Sequence, residues 1–186
     1  MIIENELHNN FPNNLGFKTF LKYYPIKFDV SQDYRDNRTA VYRFKDGYEN
    51  INVDNLFITA INEFKRNKNY LNYWLCVIPA STIIKTQSRF EDFCERISDA
   101  TDVNNGYDLI EPIEDRDEVH LGGHRNYSHI LESLEFGEIT GKHIILLDDV
   151  VTVGRSFRII SNHLITLGAR SVNGIMLAKT HWLEEH

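Results

Sequence analysis

Two neighbouring carboxylates, Asp148 and Asp149, stand at the end of an apolar run and just before a loop that ends in Gly154-Arg155-Ser156. Carboxylates can hold sugar hydroxyls and stabilise positive charge that develops during a reaction. The backbone N–H groups of a loop that enters a helix can cradle a phosphate, and the hydroxyls of Thr152 and Ser156 stand beside them here. This order of groups indicates a ligand with a phosphate at one end and hydroxyls or a metal nearby, as in a sugar phosphate.

The elements around this loop must place the carboxylates at the edge of a sheet. The four residues Ile144-Ile145-Leu146-Leu147 are apolar without interruption, which is typical of a parallel strand buried on both faces. The segment from Phe157 to Leu167 has the pattern of a helix. Because open α/β sheets bind ligands beyond the carboxyl ends of their strands, we predict that the acidic pair and the loop form one site there.

The segment from Ile144 to Ser156 resembles the motif by which type I phosphoribosyltransferases bind phosphoribosyl pyrophosphate (PRPP). That motif consists of a hydrophobic strand, an acidic pair, two apolar residues, small or hydroxyl residues, glycine, any residue, and then threonine or serine. The chain fits it everywhere except at Val153, where threonine, serine or alanine is usual, so at most one hydroxyl contact is lost. The resemblance implies that the 5′-phosphate is held, largely through backbone N–H groups, by Thr152, Val153, Gly154, Arg155 and Ser156.

Other classes of protein also place an acidic pair after a hydrophobic strand. A Walker B element would need a partner of the form GxxxxGK[ST], and the chain contains none. Receiver domains need nearly a whole domain behind the pair, whereas only Val150 to His186 follow it here. The remaining alternative is an ordinary buried strand with a solvated turn, and the length and order of the loop pattern argue against it.

A second segment, Val77-Ile78-Pro79-Ala80-Ser81-Thr82, ends another apolar run. The resemblance implies that the loop after it binds pyrophosphate through backbone N–H groups and hydroxyls, and that two cations downstream add positive charge. The candidate pyrophosphate-binding residues are Ala80, Ser81, Thr82, Lys85 and Arg89. The alternative is a strand end with ordinary solvated cations.

The segment from Glu114 to Asn126 combines a diglycine with His120, His124 and Arg125. Such a composition fits a mobile loop that closes over a charged substrate and excludes water. An exposed acidic turn with incidental histidines fits it equally.

Within the family, the chain is most similar to the ComF-type, amidophosphoribosyltransferase-like branch, from about Tyr42 to the end of the chain. Gly168-Ala169-Arg170-Ser171-Val172 and Leu177-Ala178-Lys179-Thr180 support this resemblance. ComF proteins commonly carry a cysteine-rich zinc module at the N-terminus. The only cysteines here are Cys76 and Cys94, so that zinc is not carried over.

What the resemblance implies is an enzyme that displaces pyrophosphate from C1 of Mg²⁺-bound PRPP with a nitrogen nucleophile, either a nucleobase or an amine. Asp148 and Asp149 would hold the ribose 2′- and 3′-hydroxyls and stabilise oxocarbenium-like charge, and Arg125 is the third candidate catalytic residue. Mg²⁺ would sit mostly on substrate oxygens and waters, so we predict no metal site made by the protein itself. Dimers are common in the family, so a homodimer is one expectation.

Two further functions stay open on the sequence. One is a PRPP or nucleotide sensor that has the fold without the catalysis, because a fold does not fix a function. The other is a ComF-like role in DNA uptake or processing. The net charge of −7 argues against direct DNA binding, and the cluster Lys65-Arg66-Lys68 argues for it. The acceptor is not identified, because specificity lies in segments that vary freely.

The composition is that of a soluble globular protein. The 186 residues are 42% hydrophobic and 25% charged, as expected for one domain or for a core with an elaboration. Met1 to Asn14 lacks the basic-then-apolar order of a signal peptide, and no apolar stretch approaches the length of a membrane span. We therefore expect a cytoplasmic protein that does not enter a membrane. Cys76 lies in an apolar run, where a buried, inert thiol is expected.

The alternation of strands and helices predicts an α/β fold with a parallel sheet. The resemblance implies that this is a type I phosphoribosyltransferase-like sheet flanked by helices, with a small N-terminal β-rich hood, the part that selects the acceptor in that family. Residues 1–50 would form an N-terminal extension and the hood, and residues 51–186 the core. In the N-terminal half, the predicted elements are a loose lead-in over residues 1–20, a β-hairpin or meander over Tyr23 to Tyr48, a helix over Asn55 to Lys65, a strand over Tyr73 to Pro79, and a helix over Ser88 to Ala100 with Ser88 as its N-cap. In the C-terminal half, they are a strand over Tyr107 to Ile113, a short helix over Asn126 to Leu134, the motif strand, the helix from Phe157 to Leu167 that Gly168 stops, and a strand over Val172 to Ala178.

Overall fold

The computed structural model describes residues 1–8, 15–68, 72–116 and 129–183, which form a six-stranded sheet, a two-stranded sheet and four helices. In chain order the elements are β1 (Glu6–His8), β2 (Gly16–Tyr23), α1 (Gln32–Lys45), α2 (Ile51–Lys68), β3 (Tyr73–Val77), α3 (Ile83–Thr101), β4 (Asn104–Asn105), β5 (Ile110–Pro112), β6 (Leu134–Phe136), β7 (His143–Val151), α4 (Arg155–Thr166) and β8 (Ser171–Thr180).

The large sheet has the strand order β1-β2-β8-β7-β3-β4. Every neighbouring pair in it is parallel except β1 and β2 at one edge, which are antiparallel. The carboxyl ends of β2, β8, β7 and β3 therefore lie along one edge of the sheet, where ligand sites of such sheets form. The prediction of a parallel α/β sheet flanked by helices is confirmed.

The strand β7 explains why four apolar residues occur in a row. Ile145 and Leu147 pack on one face of the sheet against α1, α2 and α3, and Ile144 and Leu146 pack on the other face against α4. All four side chains are fully buried. A strand covered on both faces has no solvent-facing side, which explains why these four residues are all apolar.

The helices predicted from hydrophobic spacing are present. In α4 the buried residues Phe157, Ile160 and Leu164 recur at helical spacing and face the sheet. The helix ends at Thr166, and Gly168 follows with a φ of +94°, a left-handed conformation that favours glycine. Within the described ranges, none of the helices combines the length and the apolar character needed to cross a bilayer.

The predicted β-hairpin over Tyr23 to Tyr48 is wrong, because α1 occupies most of that segment. Ala40, Tyr42 and Phe44 alternate in the sequence as in a strand. In the structure, however, Ala40, Val41 and Phe44 share one buried face of the helix, and Tyr42 is exposed. The strand of this region lies earlier, where β2 forms seven pairs with β8. It runs through part of the segment that we expected to be a loose lead-in. The division of the chain at residue 50 into a hood and a core stays a prediction.

Three other boundaries differ from the prediction. The helix α3 begins at Ile83 rather than Ser88, because the hydroxyl oxygen of Thr82 caps it by accepting the backbone N–H of Lys85 at 3.2 Å. The predicted strand over Tyr107 to Ile113 shortens to β5, which pairs antiparallel with β6 outside the large sheet. The described end of the predicted helix over 126–134 is a turn that leads into β6.

Both cysteines are free and buried. Burial raises the pKa of the Cys76 thiol above its ordinary value and raises that of Cys94 to about 12. A thiol that stays protonated is a poor nucleophile, so the prediction of a buried, inert Cys76 agrees with its position in the sheet.

Candidate functional site

The acidic pair lies near the carboxyl end of β7, and its two side chains point to opposite faces of the sheet. Asp149 follows Ile145 and Leu147 on the face that α1, α2 and α3 cover, and only 5% of the residue is exposed. Asp148 follows Ile144 on the face of α4 and is half-buried. The backbone N–H of Asp149 donates to Asp148 Oδ1 at 2.8 Å. The two carboxylates therefore meet different surroundings although they are neighbours in sequence.

Cations from two helices surround Asp149. Arg89 Nη1, on α3, forms an ion pair with Asp149 Oδ2, and Lys45 Nζ, at the end of α1, lies 4.0 Å from Oδ1. The backbone N–H of Val150 also donates to Oδ1. Arg89 is held at a second point, because its Nε donates to the backbone carbonyl of Lys45 at 3.1 Å. Asp149 is thus a compensated carboxylate with both oxygens engaged.

Among the described residues, the ion pairs with Arg89 and Lys45 are made by Asp149 and not by Asp148. Burial is the main reason that its pKa is raised, and the neighbouring negative charge of Asp149 adds to the effect. The hydrogen bond from the Asp149 backbone and the more distant cations Arg89 and Lys45 act in the opposite direction. Asp148 therefore takes up a proton more readily than an ordinary aspartate, and its charge depends on the ligand beside it.

The loop after the acidic pair leads into the start of α4. Gly154 is the N-cap residue, with a φ of +73°, and its side chain of hydrogen offers no oxygen to the first turn of the helix. Its carbonyl accepts the first helical bond from Arg158 at 2.9 Å. The backbone N–H groups of the first turn consequently point toward the loop with the positive end of the helix dipole. Val153 is 65% exposed, so the residue that departs from the motif has its side chain in solvent.

The candidate pyrophosphate loop leaves the same edge of the sheet one strand away. Ile78, just after β3, donates its N–H to the carbonyl of Leu147 in β7 at 2.8 Å, so the two loops begin side by side. Inside the loop, the N–H of Ala80 donates to Thr86 Oγ1 at 2.9 Å, and the hydroxyl of Thr86 donates to the carbonyl of Thr82 at 3.0 Å. These bonds fix the path of the backbone before α3 begins.

Two residues that the sequence analysis did not single out contact this loop. Asp115 Oδ1 accepts the backbone N–H of Ile83, the first residue of α3, at 2.8 Å. Arg116 Nη2 donates to the carbonyls of Pro79 and Ala80, each at 2.5 Å. A carboxylate thus lies at the helix start where an anionic ligand would bind. Their spacing in the sequence carries no signal for this contact, which depends on how the chain returns after β5.

The structure brings most of the predicted site residues to this edge. The 5′-phosphate residues 152–156 follow β7, the residues Ala80 to Thr82 follow β3, and Lys85 is exposed on the first turn of α3. Arg89 differs, since its guanidinium faces Asp149. Arg125, together with His120 and His124, lies outside the described residues.

The cluster that argued for DNA binding is engaged elsewhere. Lys65 Nζ donates to the carbonyls of Thr101 at 2.6 Å and Asp102 at 3.0 Å, which caps the carboxyl end of α3. Arg66 Nε lies 3.4 Å from the carbonyl of Asn62 in its own helix. The Lys68 side chain lies outside the described part of the chain. Lys65 therefore stabilises a helix end.

The protein offers oxygen atoms to a ligand at this edge. In the described ranges, no group of three or more histidine, cysteine, aspartate or glutamate side chains is placed to hold a metal ion. The carboxylates and hydroxyls at the edge are hard donors, which suit a magnesium ion that arrives with its own oxygen ligands.

The comparisons with known proteins give structural likenesses only. No family model matches the chain, and no curated protein matches it in sequence. The chain is similar to a hypoxanthine-guanine phosphoribosyltransferase from Bacillus anthracis at 12% identity, with 68% of this chain and 66% of that chain covered and a TM-score of 0.42. Against a purine phosphoribosyltransferase from Pyrococcus horikoshii the identity is 16%, the coverage 89% and 82%, and the TM-score 0.40. Against a hypoxanthine-guanine phosphoribosyltransferase from Schistosoma mansoni in complex with IMP, the identity is 13%, with 87% of this chain and 79% of that chain covered and a TM-score of 0.38.

The fold and the site define a class of protein in which a mainly parallel α/β sheet carries an acidic pair and two loops at one edge. At identities and TM-scores this low, a function for the chain has to come from the residues of the site. The resemblance to the ComF-type branch, the cytoplasmic location and the homodimer stay predictions.

Proposed function

We propose that the protein binds Mg²⁺-PRPP at the carboxyl edge of β3 and β7 and transfers its phosphoribosyl group to a nitrogen nucleophile, with release of pyrophosphate. The observation that carries the proposal is the continuity of β7, Asp148-Asp149, the left-handed Gly154 and the start of α4. This continuity supports the proposal because the carboxylates, which would bind the sugar, lie next to N–H donors, which would bind a phosphate. The second loop, at the adjacent strand end, would bind the diphosphate.

The 5′-phosphate would lie in the loop of Thr152, Val153, Gly154, Arg155 and Ser156. The binding groups are the backbone N–H groups and the positive end of the α4 dipole, with the hydroxyls of Thr152 and Ser156 at the rim. Because the contacts are mainly from the backbone, Val153 is compatible with this role. The conformation of Gly154 sets the direction in which those N–H groups point.

The ribose would lie against the acidic pair. Asp148 would accept its hydroxyls, and the negative charge of the pair would stabilise the positive charge that develops as the bond at C1 breaks. The diphosphate would leave toward Ala80, Ser81, Thr82 and Lys85. Mg²⁺, carried by substrate oxygens and waters, supplies charge neutralisation on that leaving group. Arg125 keeps its proposed catalytic role, from a segment outside the described residues.

The surroundings of the edge favour a nucleobase over a simple amine as the acceptor. Trp182, two residues after β8, is 59% exposed, and its ring lies 6.1 Å from that of Phe28 with Lys27 Nζ 5.5 Å from its centre. The end of β8 adjoins the 5′-phosphate loop, since Thr180 Oγ1 lies 3.4 Å from Thr152 Oγ1. Aromatic faces bind bases by stacking, and a simple amine has no ring to stack.

The test is binding followed by turnover. Calorimetry with Mg²⁺-PRPP should give saturable binding to the wild type, and pyrophosphate release should then be measured with a panel of nucleobases and amines. The double variant Asp148→Asn with Asp149→Asn should abolish release while it remains folded by circular dichroism. The matched control is Asp99→Asn with Asp102→Asn, which removes the same charge from the far end of α3. Unchanged turnover in the acidic-pair variant would contradict the proposal.

A second function has an observation in its favour. Asp149 is engaged by Arg89, as it would be in a protein that binds PRPP and does not turn it over. Saturable Mg²⁺-PRPP binding with no pyrophosphate release for any acceptor would favour this sensor. Salt-dependent retention of single-stranded DNA would favour the ComF-like role. Lys65 argues against that role, because it caps the carboxyl end of α3.

A further inference from the structure

The ion pair between Arg89 and Asp149 joins three elements beneath the proposed ribose site. Its two side chains are 11% and 8% exposed, so water screens the pair only weakly. Lys45, which is 37% exposed, approaches the same carboxylate from α1. From the sequence, Arg89 is predicted to bind pyrophosphate. In the structure its guanidinium is directed instead at Asp149 of β7.

The orientation of Arg89 is fixed at both ends of the guanidinium. Nη1 contacts Asp149, and Nε donates to the Lys45 carbonyl at 3.1 Å. The end of α1 comes this close to α3 because Gly47 allows it. A Cβ at Gly47 would lie 2.2 Å from the carbonyl oxygen of Ser88, and the φ of +78° also favours glycine. The fold thus presses the end of α1 against the residue that precedes Arg89.

We propose that Arg89 is a positioning residue that acts through Asp149. Together with Lys45, Arg89 holds Asp149 as a fixed, compensated carboxylate on the face of β7 that α1, α2 and α3 cover. Asp148 is then the carboxylate presented to the ribose. This role rests on the proposed function, and it differs from direct contact with the diphosphate. It assigns the two adjacent aspartates separate tasks, which their adjacency in sequence does not reveal.

The cations also control the charge of the pair. Asp149 faces Arg89 from α3, Lys45 from α1 and the Tyr23 hydroxyl from the end of β2, and Asp148 precedes it on β7. Removal of Arg89 takes away the closest positive charge. Because that charge lowers the pKa of Asp148, its removal lets a proton bind more readily to Asp148. A protonated Asp148 binds ribose hydroxyls and positive charge less well. The pH below which Mg²⁺-PRPP binding is lost should therefore move upward.

The test compares Arg89→Met and Arg89→Lys with a matched control on the same helix. Arg96, seven residues further along α3, makes the same kind of pairs, with Asp54 at 3.2 Å and Glu49 at 3.1 Å, away from the sheet edge. Calorimetry between about pH 6 and about pH 9 should show that the midpoint of Mg²⁺-PRPP binding rises by about one pH unit in Arg89→Met. Arg89→Lys should restore it in part, and Arg96→Met should leave it unchanged.

Two measurements separate positioning from direct contact. Free pyrophosphate should bind Arg89→Met and the wild type within about two-fold, because Arg89 does not touch it. In the Asp149→Asn background, Arg89→Met should add little further loss of Mg²⁺-PRPP affinity. Equal weakening of pyrophosphate and PRPP, or full additivity with Asp149→Asn, would overturn the positioning role alone. Absence of Mg²⁺-PRPP binding by the wild type would overturn the proposed function and this role together.

Discussion

At the residue scale, the alternation of a strand assigns two identical side chains to two chemical environments. Asp149 enters a layer of helices that supplies Arg89 and Lys45, and Asp148 enters the other face without an equivalent partner among the described residues. The burial of Asp149 is therefore compensated by direct ion pairs, whereas, in the part of the chain that the structure describes, that of Asp148 is not. A poorly compensated carboxylate lowers the free energy of unfolding, and it leaves a group with which a ligand can form contacts.

The first consequence concerns the stability of Asp148→Asn. The pKa of Asp148 is raised in the folded state, so the folded protein binds a proton more tightly than the unfolded chain does. This contribution is fully present at pH below the unfolded pKa and is lost as pH rises through the folded one. Asparagine mimics the protonated form, so the variant should gain about 1 kcal/mol of free energy of unfolding at about pH 9 and little at about pH 4.

Urea unfolding at the two pH values measures that difference. The control is Asp99→Asn on the exposed side of α3, which should change the free energy of unfolding by the same small amount at both. A pH-independent effect of Asp148→Asn would contradict the raised pKa. The same variant should lose Mg²⁺-PRPP affinity, since the ribose loses its carboxylate.

At the element scale, the site depends on how two helices begin. The first turn of α3 is capped by Thr82, and Asp115 accepts the N–H of Ile83. The first turn of α4 follows Gly154, which brings no side-chain oxygen. Helix α3 thus starts with its donors partly satisfied by the protein, whereas α4 starts with a loop shaped by one left-handed glycine.

The variant Gly154→Ala tests the importance of that glycine. A side chain at a φ of +73° costs about 1–2 kcal/mol, and relief of the strain would turn the N–H groups of the loop away from the phosphate. We expect ribose 5-phosphate to bind about ten-fold more weakly, by calorimetry, in addition to a loss of stability.

A matched glycine separates the two effects. Gly141 has a φ of +77° in the turn before β7, and an added Cβ there would meet nothing within 4 Å. Gly141→Ala should therefore lose about the same free energy of unfolding and keep its affinity for ribose 5-phosphate. Equal loss of affinity in both variants would show that the effect of Gly154→Ala is general destabilisation.

At the scale of the whole molecule, the sequence predicts what local patterns determine. The fully apolar run in β7, the helical spacing in α4 and the turn at Gly168 each follow from nearby residues, and each is found as predicted. The prediction for the α1 segment was wrong because, over so short a stretch, Ala40, Tyr42 and Phe44 fit a strand period while Ala40, Val41 and Phe44 fit a helical one. Only packing against α3 and the sheet decides between them.

The contacts that complete the site join residues far apart in the chain. Arg89 and Asp149 are separated by 60 positions, and Asp115 and Ile83 by 32, so no local pattern could pair them. β2 reached the sheet through pairing with β8 at the other end of the chain. The motif and the resemblance thus predicted the loops that meet at this edge of the sheet, whereas the charge balance of the acidic pair required the three-dimensional arrangement.

The last prediction concerns the acceptor, whose surface is assembled from both ends of the chain. Phe28 and Lys27 follow β2, and Trp182 follows β8, so the aromatic cluster exists only because these strands are parallel neighbours. Trp182→Ala should raise KM for the nucleobase about ten-fold, since the stacking of a base is worth about 1–3 kcal/mol. Mg²⁺-PRPP affinity should not change, because the proposed 5′-phosphate and ribose contacts come from β7 and the loop after it rather than from Trp182.

The control for Trp182 is Tyr48→Ala. Tyr48 is 60% exposed and has Arg43 above its ring at 5.4 Å, which matches the exposure and the cation of Trp182 at a different surface. Pyrophosphate release at varied nucleobase concentration should show the rise in KM for Trp182→Ala alone. A rise in KM for PRPP instead would place Trp182 at the phosphoribosyl side of the site. A response shared by both variants would mean that neither ring recognises the base, and an amine would then be the better acceptor.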